Sequence, residues 1–205
     1  MTRVSDVPDV SNVHERLRTG ADGLTRCSWC GDDPLYTQYH DTEWGRPLEG
    51  DYRWYEKICL EGFQAGLAWI TILRKRENFR AAFAGFDIDT VARFGEDDIV
   101  RMLGDAGIVR HRGKIESAVN NANRAIELRE EAGSLAAYLE RYRSPRAAGV
   151  LLTEDIRPTS PESIAASKDL RKRGWSFVGP TTLYAMMQSA GLVNDHVHGC
   201  FALEP

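Results

Sequence analysis

From residue 33 onward, apolar residues recur at helical spacing, and the stretches they mark are opened or closed by Pro and Gly. Asp33-Pro34 opens a short helix to about Trp44, with Pro early in its first turn. Segments 51–67 and 70–84 read as two helices, the first very apolar, and short helices follow near 87–94 and 95–105. A long amphipathic helix covers 112–131 and stops at Ala132-Gly133; residues 134–143 make another. Residues 144–160, with Pro145, Gly149 and Pro158, read as loop. Ser160-Pro161-Glu162 starts a helix that runs to Arg173-Gly174, and the last helix spans 180–190 before Gly191. No segment alternates convincingly, so the predicted fold class is all-α. Residues 1–23 are polar and read as a flexible N-terminal extension, which leaves 24–205 as one unit of two helical lobes.

Composition narrows the class further. With 205 residues and 42% hydrophobic content, the chain is able to bury a real core, which excludes a disordered or collagen-like protein. Its longest apolar run, Leu67 to Leu73, falls far short of the roughly 20 residues that cross a bilayer. Met1-Thr2-Arg3-Val4-Ser5-Asp6 carries no apolar signal region, so the expected location is cytoplasmic. In that setting the four cysteines suggest metal or packing before disulfides. A net charge of −4 argues mildly against bulk nucleic-acid binding and leaves local patches open.

Cys27-Ser28-Trp29-Cys30, His40 and His196-Val197-His198-Gly199-Cys200 pose a metal question. If the last segment is locally helical, His196 and Cys200 share a face. Two Cys and two His would close a tetrahedral Zn²⁺ site clipping the two ends of the chain, a structural role. The plain alternative is buried Cys and surface His, and spacing leaves open whether Cys27 or Cys30 is the first ligand. A thioredoxin-like pair is a poor fit, because no βαβ pattern surrounds Cys27 and Cys30.

Tyr36, Tyr39, His40 and Glu43 fall on one helix face, with Trp29 and Trp44 nearby. Such spacing usually marks aromatic core, yet this stripe is half polar and suits a pocket that stacks a flat ligand. In Ile58-Cys59-Leu60-Glu61-Gly62-Phe63-Gln64-Ala65-Gly66-Leu67-Ala68-Trp69, Glu61 is the one charge, and it shares a face with Trp54, Ile58 and Ala65. A buried carboxylate needs a structural partner or a ligand. Two basic stretches precede helices: Gly107 to Lys114, and Lys168 to Gly174 followed by Phe177-Val178-Gly179-Pro180-Thr181. Each reads alone as a solvated face; a small-residue hairpin ahead of a helix also exposes N–H groups to phosphate.

Together these residues resemble the bacterial 3-methyladenine DNA glycosylase I family of the helix-hairpin-helix superfamily. The resemblance runs from about Arg26 to Cys200. It rests on Arg26-Cys27-x-Trp29, Asp33-Pro34-Leu35-Tyr36, Tyr39-His40-Asp41-x-Glu43-Trp44-Gly45 and Leu60-Glu61-Gly62-x-Gln64-Ala65-Gly66-Leu67-x-Trp69-Ile70. Arg110-His111-Arg112-Gly113-Lys114-Ile115, Lys172-Arg173-Gly174-x-x-Phe177-Val178-Gly179 and Gly191-Leu192-Val193-Asn194-Asp195-His196 extend it.

The resemblance implies structural zinc on Cys27, His40, His196 and Cys200, with Cys30 a local extra. It implies a base pocket of Glu61, Tyr39 and Trp69, with Trp29, Tyr36 and Trp44 close by. It implies a wedge into the DNA stack around Ala65, Gly66 and Leu67 and a hairpin contact at Gly179 and Thr181; the basic run adds Arg112 and Lys114 as expected phosphate contacts. The implied activity is monofunctional hydrolysis of the N-glycosidic bond of 3-methyladenine in double-stranded DNA, releasing the free base, by a monomer with no catalytic metal or organic cofactor. The sequence departs from the wider superfamily at Asn194, where many relatives carry a catalytic Asp, and at Leu183, where bifunctional members carry Lys; no lyase step is expected. Asp195 is expected to orient a neighbour such as His196. The rivals are a zinc-clipped DNA-binding module without activity, which would share the hairpin and the metal site, and a redox protein using Cys27 and Cys30.

Overall fold

The computed structural model describes residues 16–145, 149 and 157–203. A short antiparallel hairpin comes first. Strand β1 (Leu17–Thr19) pairs with β2 (Thr25–Cys27), placing Leu17 opposite Cys27 and Thr19 opposite Thr25. This corrects the sequence expectation twice: a small sheet exists, and the boundary drawn at residue 23 cuts through its turn. Strands of three residues are too short for alternation to show. Residues 1–15 of the expected extension, and most of the expected loop between 145 and 157, lie outside the described residues.

Nine α-helices follow among the described residues: α1 (Pro34–Thr42), α2 (Asp51–Gln64), α3 (Trp69–Ala82), α4 (Ile88–Val91), α5 (Glu96–Gly104), α6 (Arg112–Ala132), α7 (Leu135–Leu139), α8 (Pro161–Lys172) and α9 (Pro180–Ser189). Their ends obey the expected capping chemistry. Asp33 accepts from the Leu35 and Tyr36 amides ahead of Pro34. Ser160 and Ser163 cap one another reciprocally at the start of α8. Helix α6 ends on Gly133 at φ 82°.

Helix α2 organises the molecule, packing against α3, α6, α7 and α9. It stops at Gln64, earlier than the apolar run suggests. Ala65 leaves helical geometry and Gly66 turns at φ 82°, so 65–68 form an exposed loop before α3. One buried apolar cluster extends from Tyr39 to Val193, so the early and late parts of the chain share a core. A smaller cluster joins Cys27 to Val197 and Cys200. Gly191 adds a second link between the ends. Its φ is 70°, and a β-carbon there would stand 2.8 Å from the Gly45 carbonyl oxygen.

Candidate active site and metal centre

Helix α1 divides its polar face between two jobs. Tyr36 and Tyr39 line a cavity of about 450 Å³, whereas His40 turns into the small Cys27–Cys200 cluster. Glu43 faces neither. It forms a bidentate pair with Arg76 of α3, at 2.6 and 2.9 Å.

The cavity brings the expected aromatics together. Trp29, Tyr36, Tyr39, Trp44 and Trp69 line it with Glu61, and Gln188 and Asp195 face them. Tyr39 and Trp69 are buried, with ring centroids 5.4 Å apart and tilted by 45°. Trp29 stands at the rim, 37% exposed, edge-on to Tyr36 at 5.1 Å and to Trp44 at 5.0 Å. The size suits a small ligand.

Glu61 is the chemically exposed group of this cavity. It is 4% accessible, yet its Oε2 has no hydrogen-bond partner among the described residues, and neither has Trp69 Nε1. Burial pushes the Glu61 carboxyl up to about 7, against the opposing pull of Lys57 and Ser189. Lys57 lies one helical turn before Glu61 and is also buried; sequence reading overlooked it. Its Nζ donates to Tyr39 Oη at 3.2 Å and sits 4.9 Å and 5.0 Å from the Tyr39 and Trp69 ring centroids. The one available signal was its i, i+4 spacing from Glu61 on a helix already expected to be buried.

Cys27, His40, His196 and Cys200 are all buried, and one ligand atom of each lies within 4.8 Å of the others. Cys27 Sγ is 3.7 Å from His196 Nδ1; Cys200 Sγ is 3.5 Å from both His196 Nδ1 and His40 Nε2. Tetrahedral zinc bonds of about 2.3 Å to sulfur and 2.0–2.1 Å to nitrogen require ligand–ligand edges of roughly 3.3–3.8 Å, so the donor set fits such an ion. Without a cation the thiols compete for one proton. Cys200 and burial push Cys27 up, while Cys27, His196 and His40 hold Cys200 down against burial. A dication would ionise both. Cys30 stays outside this set and donates to the Cys27 carbonyl at 3.1 Å.

The carboxylate that orients a cluster imidazole is Asp41. Its Oδ1 meets His40 Nδ1 at 2.8 Å, and Arg26 holds both Asp41 oxygens. His196 Nε2 instead meets the Trp44 carbonyl at 3.3 Å. The expectation for Asp195 is therefore corrected. Asp195 accepts from Tyr184 Oη at 2.7 Å and Gln188 Nε2 at 2.8 Å, and it lines the cavity rather than holding His196. Asn194 serves the backbone, accepting from the His196 amide.

Three segments meet beyond the cavity: the 65–68 loop, the start of α6, and the 173–179 turn between α8 and α9. A β-carbon on Gly62 would lie 3.3 Å from Phe177 Cβ, and Phe177 holds φ 53° while remaining 39% exposed. Leu67 is 41% exposed in the 65–68 loop, and Gly66, Thr181, Arg110, Lys168, Arg171 and Lys172 are exposed too. Gly179 is the N-cap of α9, with Pro180 in its first turn. Two expected phosphate contacts behave differently. Arg112 is exposed but engaged by Glu96 at 2.7 Å and Glu116 at 3.1 Å. Lys114 is buried, its Nζ donating to the Phe63 and Ala65 carbonyls, so it caps the end of α2.

Comparison with known proteins adds a consistent picture. The methyladenine glycosylase family model matches residues 29–203. DNA-3-methyladenine glycosylase 1 of Escherichia coli K12 is 45% identical over 179 residues, covering 86% of this chain and 96% of that protein. The Haemophilus influenzae DNA-3-methyladenine glycosylase is 43% identical with the same coverage. A crystal structure of 3-methyladenine DNA glycosylase I superposes with a TM-score of 0.82 at 45% identity, over 86% of this chain and 98% of that one. The Staphylococcus aureus enzyme, solved to explain 3-methyladenine recognition, reaches a TM-score of 0.83 at 32% identity, over 88% and 97%.

Proposed function

The chain belongs to the methyladenine glycosylase family and is a DNA-3-methyladenine glycosylase, a hydrolase of N-glycosyl bonds; on that premise we propose that it flips 3-methyladenine out of duplex DNA into the cavity between Tyr39, Trp69 and Glu61. The observation that carries this reading is the unpartnered, buried Oε2 of Glu61 in an aromatic cavity. A carboxylate so placed is expensive unless something arrives to bond it.

N3-methylation makes the nucleobase cationic. Indole and phenol faces attract a flat cation, and Glu61 accepts hydrogen bonds from its N–H edge. The arriving cation favours the ionised form of a carboxyl otherwise poised near neutrality. The bond from C1′ to the base then breaks, and its electron pair neutralises the base. Water adds to C1′ and loses a proton to solvent, leaving an abasic site. The cavity around Tyr39 and Trp69 holds the flipped base, the exposed Gly66 and Leu67 fill the gap in the stack, and α8–turn–α9 acts as a helix-hairpin-helix whose Gly179 and Thr181 amides face phosphate. Cys27, His40, His196 and Cys200 would hold Zn²⁺, which secures the ends of the chain and takes no part in bond cleavage.

Chromatography of bases released from methylated duplex DNA tests the reading. Wild type is expected to release 3-methyladenine, and Glu61→Gln to retain its fold while losing affinity for the free base. One charge-assisted bond in a dry site accounts for roughly 1.5–3 kcal/mol. Unchanged binding and excision by Glu61→Gln would return Glu61 to a structural role.

A further inference from the structure

We propose that Lys57 is a positioning residue of this site: from behind the Tyr39 and Trp69 rings it fixes Tyr39 and supplies a counter-charge that favours the ionised form of Glu61 before the lesion's own charge enters the pocket. The inference rests on the base-pocket reading above and deepens it.

Lys57 is 7% exposed. The cavity lining includes both rings and Glu61 but not Lys57, so the ammonium meets the rings from within the core. Its hydrogen bond among the described residues goes to Tyr39 Oη. Behind it lies a small void shared with Glu43, Glu56 and Arg76. Those carboxylates already have arginine partners: Glu43 has Arg76, while Glu56 has Arg80 at 2.8 Å and Arg53 at 3.4 Å. Lys57 is therefore not needed to neutralise them. Glu61 has no arginine among these pairs, and it stands one turn along α2 on the side of the cavity.

The charges facing Lys57 are Arg53, Glu56 and Glu61 from α2, Glu43 from the end of α1, Arg76 from α3, and the Tyr39 phenol; across the cavity Glu61 also meets Arg16, Asp195 and the Tyr36 phenol. Burial and Arg76 work against its charge, and Glu61, Glu43 and Glu56 work for it. Before a lesion enters, Lys57 offsets Glu61 from the core side of the rings. While the cationic base is bound, its charge adds to that of Lys57. As the glycosidic bond breaks, positive charge moves from base to sugar, and Lys57 again balances Glu61. The pocket thus stays preset for each turnover.

The test is the pH profile of single-turnover excision in Lys57→Met. Losing the nearby cation makes Glu61 harder to ionise, so the acid limb is expected to move up by about one unit. The rate at pH 7 then falls about fivefold and recovers by pH 8.5. Lys57→Arg should keep the wild-type limb. The melting temperature of Lys57→Met should match or exceed wild type at pH 5, where Glu61 holds its proton, and lose that advantage toward pH 8, where an ionised Glu61 has no counter-charge. A loss of activity that does not recover at high pH, or an unmoved limb, overturns the proposal. In wild type, NMR of the Glu61 carboxyl and the Lys57 ammonium should show both groups responding in the same two titration steps; independent titrations also overturn it. The two readings separate cleanly. If Glu61→Gln impairs excision while Lys57→Met is unaffected, only the Lys57 role fails; if Glu61→Gln is also neutral, the pocket reading fails and takes this one with it.

Discussion

The Nζ of Lys114 lies 2.6 Å from the carbonyl oxygen of Ala65, and the same ammonium reaches the Phe63 carbonyl at 2.9 Å. A cation placed by sequence among phosphate contacts thus ties the start of α6 to the frayed end of α2. It fixes the loop that presents Gly66 and Leu67.

Lys114→Met should consequently behave as a stability variant. The buried Phe63 carbonyl and the part-buried Ala65 carbonyl lose their donor, at a cost of roughly 1–3 kcal/mol in denaturant unfolding. Its salt dependence of DNA binding should match wild type. By contrast, Arg110→Ala and Lys172→Ala should each flatten the slope of log K against log salt, a phosphate contact being worth about 0.9 in that slope. Arg112→Ala should do so less, since Glu96 and Glu116 already engage it. A flatter slope for Lys114→Met at wild-type stability would restore it to the DNA interface.

Metal analysis is expected to find one Zn²⁺ per chain. Cys200→Ser should lose metal and melt at lower temperature, with base affinity affected less. Cys30→Ser should keep its metal, because Cys30 Sγ is spent on the Cys27 carbonyl. Asp41→Asn should weaken metal retention on chelator challenge, through the lost orientation of His40. Metal loss from Cys30→Ser would show that the ligand set is wrong.

The residues that sequence exposed are those whose chemistry is itself unusual. Two Cys and two His split between the chain ends, and a lone Glu in an apolar helix, stand out whatever the fold. Lys57 did not, because nothing local tells whether a lysine points into the core or snorkels to solvent. Lys114 misled for a related reason: it sits in a basic run, while its acceptors lie 49 and 51 positions away. Asp195 misled by adjacency. It neighbours His196 in sequence, but successive side chains diverge, and the structure turns it toward Tyr184 and Gln188. The hairpin of β1 and β2 was invisible because three-residue strands carry no period.

Glu61 also sets a pH dependence of stability. Its folded value, raised by burial from 4.5 to about 7, means that between those pH values the folded chain keeps a proton that the unfolded chain has released. Wild-type stability is therefore lost from this group as pH rises through that window, by at most roughly 3 kcal/mol. Glu61→Gln has no such proton. The variant should therefore gain stability relative to wild type from pH 4.5 to pH 7. A difference that stays flat across the window would mean that Glu61 ionises normally in the folded protein.

Substrate range follows from what stands near the sugar. Asn194 carries no carboxylate, and its amide oxygen accepts from the His196 backbone. Asp195 faces the cavity, but its carboxylate is engaged by Tyr184 and Gln188. With Glu61 and aromatic stacking as the remaining tools, bond cleavage must lean on the positive charge of the lesion. The enzyme should release 3-methyladenine and fail on neutral lesions such as uracil, hypoxanthine and ethenoadenine. N7-methylguanine is the sharper comparison: it is cationic, but its methyl lies on the opposite edge, and a cavity shaped by Tyr39, Trp69 and Glu61 to reject guanine should release it poorly. Asp195→Asn should retain measurable excision, since an amide still accepts from Tyr184. Efficient release of hypoxanthine, or complete inactivity of Asp195→Asn with its metal content intact, would show instead that a carboxylate beside the sugar drives the reaction.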